Sequence, residues 1–166
     1  MKKTAWISQC GLYRYRLTRH WGPGHRVLCF VMLNPSTADA EEDDPTVRLC
    51  ISWAKLLGFD GLVVVNLFAL RSTDPSKLKV VADPVGPEND DIILDSAIAS
   101  SMILCAWGNH GGIGRRSEFV KSMLSRAGIK LHCLKLSKKL QPVHPLYQPY
   151  SLVPFPMEDY KTHEAV

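Results

Sequence analysis

Asn34, Asn66 and His144 stand where their side chains could do chemistry. Asn34 opens the polar cluster Asn34-Pro35-Ser36-Thr37-Ala38-Asp39, directly after the unbroken apolar run Val27-Leu28-Cys29-Phe30-Val31-Met32-Leu33. Asn66 follows a second run of the same type, Gly61-Leu62-Val63-Val64-Val65. His144 precedes Pro145 in a proline-rich tail. A carboxamide carries a donor and an acceptor together, and an imidazole can donate, accept or change charge near neutrality. Each residue alone has an ordinary explanation, since Asn often ends a strand and a single His is commonly incidental. The informative feature is the repetition of Asn at equivalent ends of two equivalent runs.

The elements around them dictate how they meet. Short apolar runs rich in β-branched residues read as strands buried on both faces. Pro35 cannot donate to a ladder, so the first such strand ends near Asn34. Asp44 and Pro45 have the types of a helix N-cap and first helical position. Val47, Leu49, Cys50, Trp53, Leu56 and Leu57 then recur at helical spacing, and Gly58 closes the helix. The acidic residues Glu41 to Asp44 suit the N-terminal end of that helix electrostatically. Strand, helix and strand of these lengths form a right-handed βαβ unit with parallel strands. Asn34 and Asn66 are therefore expected at one edge of the sheet, the carboxyl edge where open α/β sheets bind ligands.

A long connection runs from Arg71 to Asn89, a length that is often functional. A helix is expected over 88–100 and a third strand over 102–107, breaking into the glycine-rich stretch from Gly108 to Gly114. That stretch is neither a Walker loop nor a dinucleotide fingerprint. A further helix, 115–127, and a fourth strand, 130–134, follow. The tail beyond Ser137 holds too many prolines for a helix or a central strand. It is expected to be a loop that starts at the same sheet edge, with His144 on a backbone restricted by Pro145. Near the N-terminus, Tyr13-Arg14-Tyr15-Arg16-Leu17 alternates with period two. Tyr13, Tyr15 and Leu17 would share one face, and Arg14 and Arg16 the other. The charges read either as guards on an edge strand or as nucleic-acid contacts. The expected fold is a three-layer α/β/α sandwich on a central, mostly parallel four-stranded sheet, plus an N-terminal edge strand or hairpin, with residues 1–166 as a single domain.

The bulk properties narrow the class. With 166 residues, 46% hydrophobic and a net charge of +4, the chain suits one core and does not demand a polyanion partner. No apolar run approaches the ~20 residues that span a bilayer. Met1-Lys2-Lys3-Thr4 leads into no apolar segment, so no signal peptide, no membrane partner and a cytoplasmic location are expected. Cys10, Cys29, Cys50, Cys105 and Cys133 show no metal-like spacing. They are expected to be reduced thiols, and no cofactor or metal is expected.

Taken in order, M-L-N-P-S-T-A-D, N-L-F-A-L-R-S-T-D-P and H-P-L-Y resemble an uncharacterised domain family of bacteria and phages, over nearly the whole chain. More remotely, the order strand-Asn-Pro-Ser, strand-Asn-Leu, strand-Trp-Gly and His-Pro-Leu is similar to the uracil-DNA glycosylase superfamily. That resemblance implies roles. Asn34 would position the attacking water, which an amide cannot deprotonate. Asn66 would read a base edge, with Phe68 and Trp107 also at the base. His144 would stabilise the negative charge developing on the departing base. Leu146 or Tyr147 would fill the space of a flipped base. Asp39 has two open readings, a general base or a cap of the following helix. Ser36 stands where the glycosylases have Tyr or Gly, and the iron–sulfur cysteine set of some branches is absent, so the resemblance names no base.

The resulting expectation is a DNA glycosylase acting on a damaged or modified base, with Arg14, Arg16, Arg71, Arg115 and Arg116 as phosphate contacts and the protein a monomer. The alternatives are a hydrolase acting on a free nucleoside or nucleotide, and a non-catalytic module that binds a nucleotide or modified base.

Overall fold

Residues 1–157 are described in a computed structural model; residues 158–166 of the expected domain lie outside the described residues. Along the chain run β1 (Lys2–Ile7), β2 (Arg14–His20), β3 (Val27–Met32), α1 (Pro45–Leu56), β4 (Gly61–Asn66), α2 (Asn89–Ile98), β5 (Met102–Cys105), α3 (Arg116–Arg126), β6 (Leu131–Cys133) and β7 (Phe155–Pro156). Short 3-10 turns occupy Pro75–Lys79 and the glycine-rich Asn109–Arg115. The strands form one seven-stranded sheet in the order β1-β2-β4-β3-β5-β6-β7.

The apolar runs lie at its centre. β3 pairs in parallel with both β4 and β5, and β5 pairs in parallel with β6. The expectation of a four-stranded sheet is corrected, because both edges are extended by antiparallel strands. At the N-terminus the chain forms the hairpin of the expected pair of alternatives: β1 and β2 pair antiparallel, with β1 at the sheet edge and β2 against β4. β1 was illegible because most of its residues are exposed and its sequence does not alternate.

Side chains of alternate parity feed two cores. Leu28, Phe30, Met32, Leu62 and Val64 pack under α1, and Cys29, Val31, Val63, Val65 and Ile103 pack under α2 and α3. From β3 the chain passes through α1 to β4 on one side; from β4 it passes through α2 to β5 on the other side of β3. The connections diverge at the carboxyl ends of β3 and β5, the switch point at which such sheets leave a crevice. α1 starts as its sequence requires, with Asp44 Oδ1 accepting from the Val47 amide at 2.8 Å and Pro45 in its first turn.

One irregularity reverses an expectation. Trp6 pairs with Arg16, but the next residue, Ile7, pairs with Arg14, which leaves Tyr15 as an extra residue on β2. A bulge of this kind breaks the period of two. Tyr15 packs into the core under α2, whereas Leu17 packs into the core under α1. Arg14 is thereby turned inward beneath the α1 side, 2% exposed, with Nη1 donating to the Ala38 carbonyl at 3.1 Å. The common face expected for Arg14 and Arg16 does not exist. Arg16 stays partly exposed and lies over the Trp6 ring at 5.6 Å.

Arg19, fully buried on the same strand, ties the sheet to the segment that precedes α1. Its Nε donates to Asp43 Oδ1 at 2.8 Å. Nη1 donates to the Thr4 and Thr18 carbonyls, and Nη2 to those of Asp39 and Glu42. Replacing Arg19 with Met should lower the unfolding free energy by roughly 3–5 kcal/mol, the cost typical of removing one member of a buried ion pair. Arg19→Lys should restore little of it, because an ammonium cannot reproduce the fork. Urea denaturation midpoints of the two variants check this.

Candidate functional site

A cleft of about 420 Å³ opens at the carboxyl ends of the parallel strands. Asn34, Asn66, Trp107 and His144 all line it, as do Arg14, Asp44, Ser72 and His110. They are delivered by several stretches of chain, and the backbone explains how.

The loops that follow β3 and β4 stay joined beyond the sheet. Phe68 N donates to Leu33 O at 3.0 Å, and Ser72 N to Pro35 O at 2.9 Å. Asn34 is set in this seam. Its Nδ2 donates to the carbonyls of Ser72 at 2.8 Å, Pro35 at 3.2 Å and, more weakly, Leu70 at 3.4 Å. An amide nitrogen has only two hydrogens, so Oδ1 remains as the group with free hydrogen-bonding capacity. Asn66 is 2% exposed, and its Oδ1 is buried without a hydrogen-bond partner in the protein. A buried acceptor left unmade costs about 1–3 kcal/mol.

The opposite wall is the return of the proline-rich tail. Gly108 N donates to Pro142 O at 2.8 Å, and Trp107 Nε1 donates to Gln141 Oε1 at 2.7 Å. Ser137 Oγ bonds Asn109 Oδ1 at 2.6 Å. The indole ring lies so close to Gly111 that a Cβ there would fall 2.1 Å from Trp107 Cδ1. This loop holds His144, whose Nδ1 accepts from the Leu146 amide at 3.0 Å. In the neutral ring the proton is then on Nε2. Burial, the larger influence, pushes His144 below its ordinary value of 6.5, and the negative charge of Asp44 pulls it back up.

Asp44 is the carboxylate of the cleft. Its oxygens accept from the amides of Val47 at 2.8 Å and Ala38 at 3.3 Å. Asp39, expected as a general base or a cap, does not line the cleft. Its Oδ1 accepts from the amides of Glu41 and Glu42, both at 2.8 Å, and these bonds hold its carboxyl below the ordinary value. It caps a turn ahead of the helix; the helix itself is capped by Asp44.

The remaining expected residues lie elsewhere. Phe68 is buried in the core under α2 and borders a separate hollow with Leu78 and Ile113. Arg116 is 7% exposed, bonded to Leu67 O at 2.7 Å and ion-paired with Asp90. Its role is to fasten α3 to the end of β4, so a phosphate contact there is corrected. Arg115 is exposed but bonded through Nε and Nη2 to Glu118. Arg71 is partly exposed outside the cleft lining. Leu146 and Tyr147 project to solvent beyond His144, Tyr147 being 93% exposed at a left-handed φ of 64°.

Ser72, Thr73, Asn109 and His110 belong to the site but went unread in the sequence. Asn109 and His110 follow β5 as Asn34 follows β3, so the strand-end rule could have found them. Among the described residues, no cluster of His, Cys, Asp and Glu could hold a metal ion, and no helix is long and apolar enough to cross a membrane. Cys29, Cys50, Cys105 and Cys133 are buried free thiols, as expected, and burial raises Cys29 to about 12.

These features define an α/β protein with a polar cleft at the switch point of its sheet. The chain belongs to the family described as Protein of unknown function (DUF1643), whose model matches residues 14–146. No curated protein and no solved structure matches the chain.

An NMR titration of His144 should give a midpoint below 6.5. The sign follows from burial: the fold disfavours the imidazolium, so this contribution to stability is complete above the unfolded-state value of about 6.5 and is lost as pH falls toward the depressed folded value. Asp44→Asn should lower the midpoint further. A midpoint at or above that of a free His would contradict the arrangement.

Proposed function

We propose that the cleft is a base-binding site and that the protein hydrolyses the N-glycosidic bond of a damaged or modified base in DNA. The observation that carries this reading is the meeting of Asn34, Asn66, Trp107 and His144 in one cleft, with the buried acceptor of Asn66 unmet. The order of those residues along the chain resembles that of the site motifs of the uracil-DNA glycosylase superfamily, which supports the reading. Asn66 Oδ1 takes an N–H of the base edge. Asn34 Oδ1 orients water toward the anomeric carbon. Asp44, the acid in the cleft lining, takes over the part Asp39 cannot play and accepts the proton of that water. As the water oxygen bonds to the sugar, the C–N electron pair leaves with the base, and the Nε2–H of neutral His144 donates to it. Tyr147 and Leu146, exposed past His144, are the residues that would occupy a flipped base's place.

A second reading has its own observation. Arg14 and Arg116 are buried, and Arg115 is paired with Glu118, which leaves few of the expected cations for a DNA backbone. The same pocket would then act on a free nucleoside or nucleotide.

Oligonucleotides carrying deaminated, oxidised and hypermodified bases should reveal at least one that acquires alkali-labile sites. His144→Ala should slow release by about 10²–10³-fold, the usual effect of losing one charge-stabilising donor. Release of base from nucleosides without cleavage of any oligonucleotide selects the second reading. No release from either class of substrate overturns both.

A further inference from the structure

Two arginines on β2 are buried, and they differ in one respect. Every donor of Arg19 is engaged. Arg14 has a single protein hydrogen bond, from Nη1 to the Ala38 carbonyl, and its Nε is buried with no partner. It lines the cleft at 2% exposure. No carboxylate lies within ion-pairing distance of it among the described residues. The nearest acidic influence is Asp44, whose oxygens are held by the amides of Val47 and Ala38. A buried cation without a counter-ion is costly, and a bulge in β2 is what aims it here.

Its place relative to Asn66 is fixed by the sheet. β2 is the next strand beyond β4, about 4.8 Å away, on the side opposite β3 and β5, which lead to Asn34 and Trp107. A base read by Asn66, with its sugar bond toward Asn34 and His144, presents its far edge to Arg14.

We infer that Arg14 selects the substrate: the cleft takes a nucleobase with an anionic substituent, of the carboxylate type, on the edge away from the sugar. This rests on the reading of the cleft as a base-binding site and narrows it. Burial also lowers Arg14 to about 10, against the opposing pull of Asp44; the guanidinium is still charged at neutral pH, and an anion would restore the balance.

Titration calorimetry of the full chain with uracil, uracil-5-carboxylate, cytosine, cytosine-5-carboxylate and uridine 5′-monophosphate tests it. At least one carboxylated base should bind tenfold or more tightly than its parent. Arg14→Gln should abolish that preference and Arg14→Lys should keep part of it, while Asn66→Ala should weaken parent and carboxylated base alike. The comparison within the wild-type protein stands even where a variant fails to fold. Parent and carboxylated bases binding equally would overturn the role of Arg14 and leave the base-binding site intact. Tighter binding of the monophosphate than of either carboxylated base would overturn it in favour of a nucleotide phosphate at Arg14. No binding of any base would overturn the underlying reading as well.

Discussion

The arrangement depends on a guanidinium that never reaches solvent. Arg19 joins the carbonyls of Thr4 and Thr18 on the first two strands to those of Asp39 and Glu42 and to the carboxylate of Asp43. The segment it grips has no regular structure of its own, yet it ends at Asp44, the cap of α1 and part of the cleft wall. Irregular backbone is placed accurately only when its carbonyls are met by fixed donors. A planar fork on a rigid strand is such a donor set. One side chain thereby ties the first two strands to the segment that leads into α1.

The same strand shows how a sheet can separate structural from functional charge. Arg19 obeys the regular alternation and has its partners within the protein. Arg14 lies beyond the bulge, faces the cleft and lacks them. Residue type and depth of burial do not distinguish the two; the count of met donors does. Asn34 and Asn66 differ in a parallel way. The Nδ2 of Asn34 is held by backbone carbonyls, whereas the Oδ1 of Asn66 is buried with no partner in the protein.

Much of the scaffold was legible because its signals are local. The runs at Val27 and Gly61, the Asp44-Pro45 helix start and the stop at Gly58 each rest on a residue's own backbone preference, and each stands where the pattern put it. The juxtaposition of Asn34 with Asn66 followed from the parallel βαβ rule, and that of His144 from the tail having to leave the same edge. What was not legible depended on partners distant in sequence. The orientation of Arg14 turns on a register slip against β1, a strand whose exposed residues gave no periodic signal. The burial of Arg116 depends on Leu67 O and Asp90, far from it in the chain. Asp39 and Asp44 are similar residues in one acidic stretch, and only the turn geometry assigns the first to a local bend and the second to the cleft.

The seam between the loops after β3 and β4 also gives the long connection a second character. Asn34 is aimed by the carbonyls of Pro35, Leu70 and Ser72, so its oxygen is steered in part from the first residues of the stretch that runs on to Asn89. The outer part of that stretch is mostly exposed but is anchored by Leu78, which is buried in the core. The connection is therefore pinned at both ends, since Val85 and Pro84 accept from the amides of Ala69 and Leu70 and Asn89 bonds the carbonyls of Asn66 and Leu67, and a shift of backbone at Leu70 to Ser72 re-aims Asn34 from a distant stretch of chain without altering any side chain in the site.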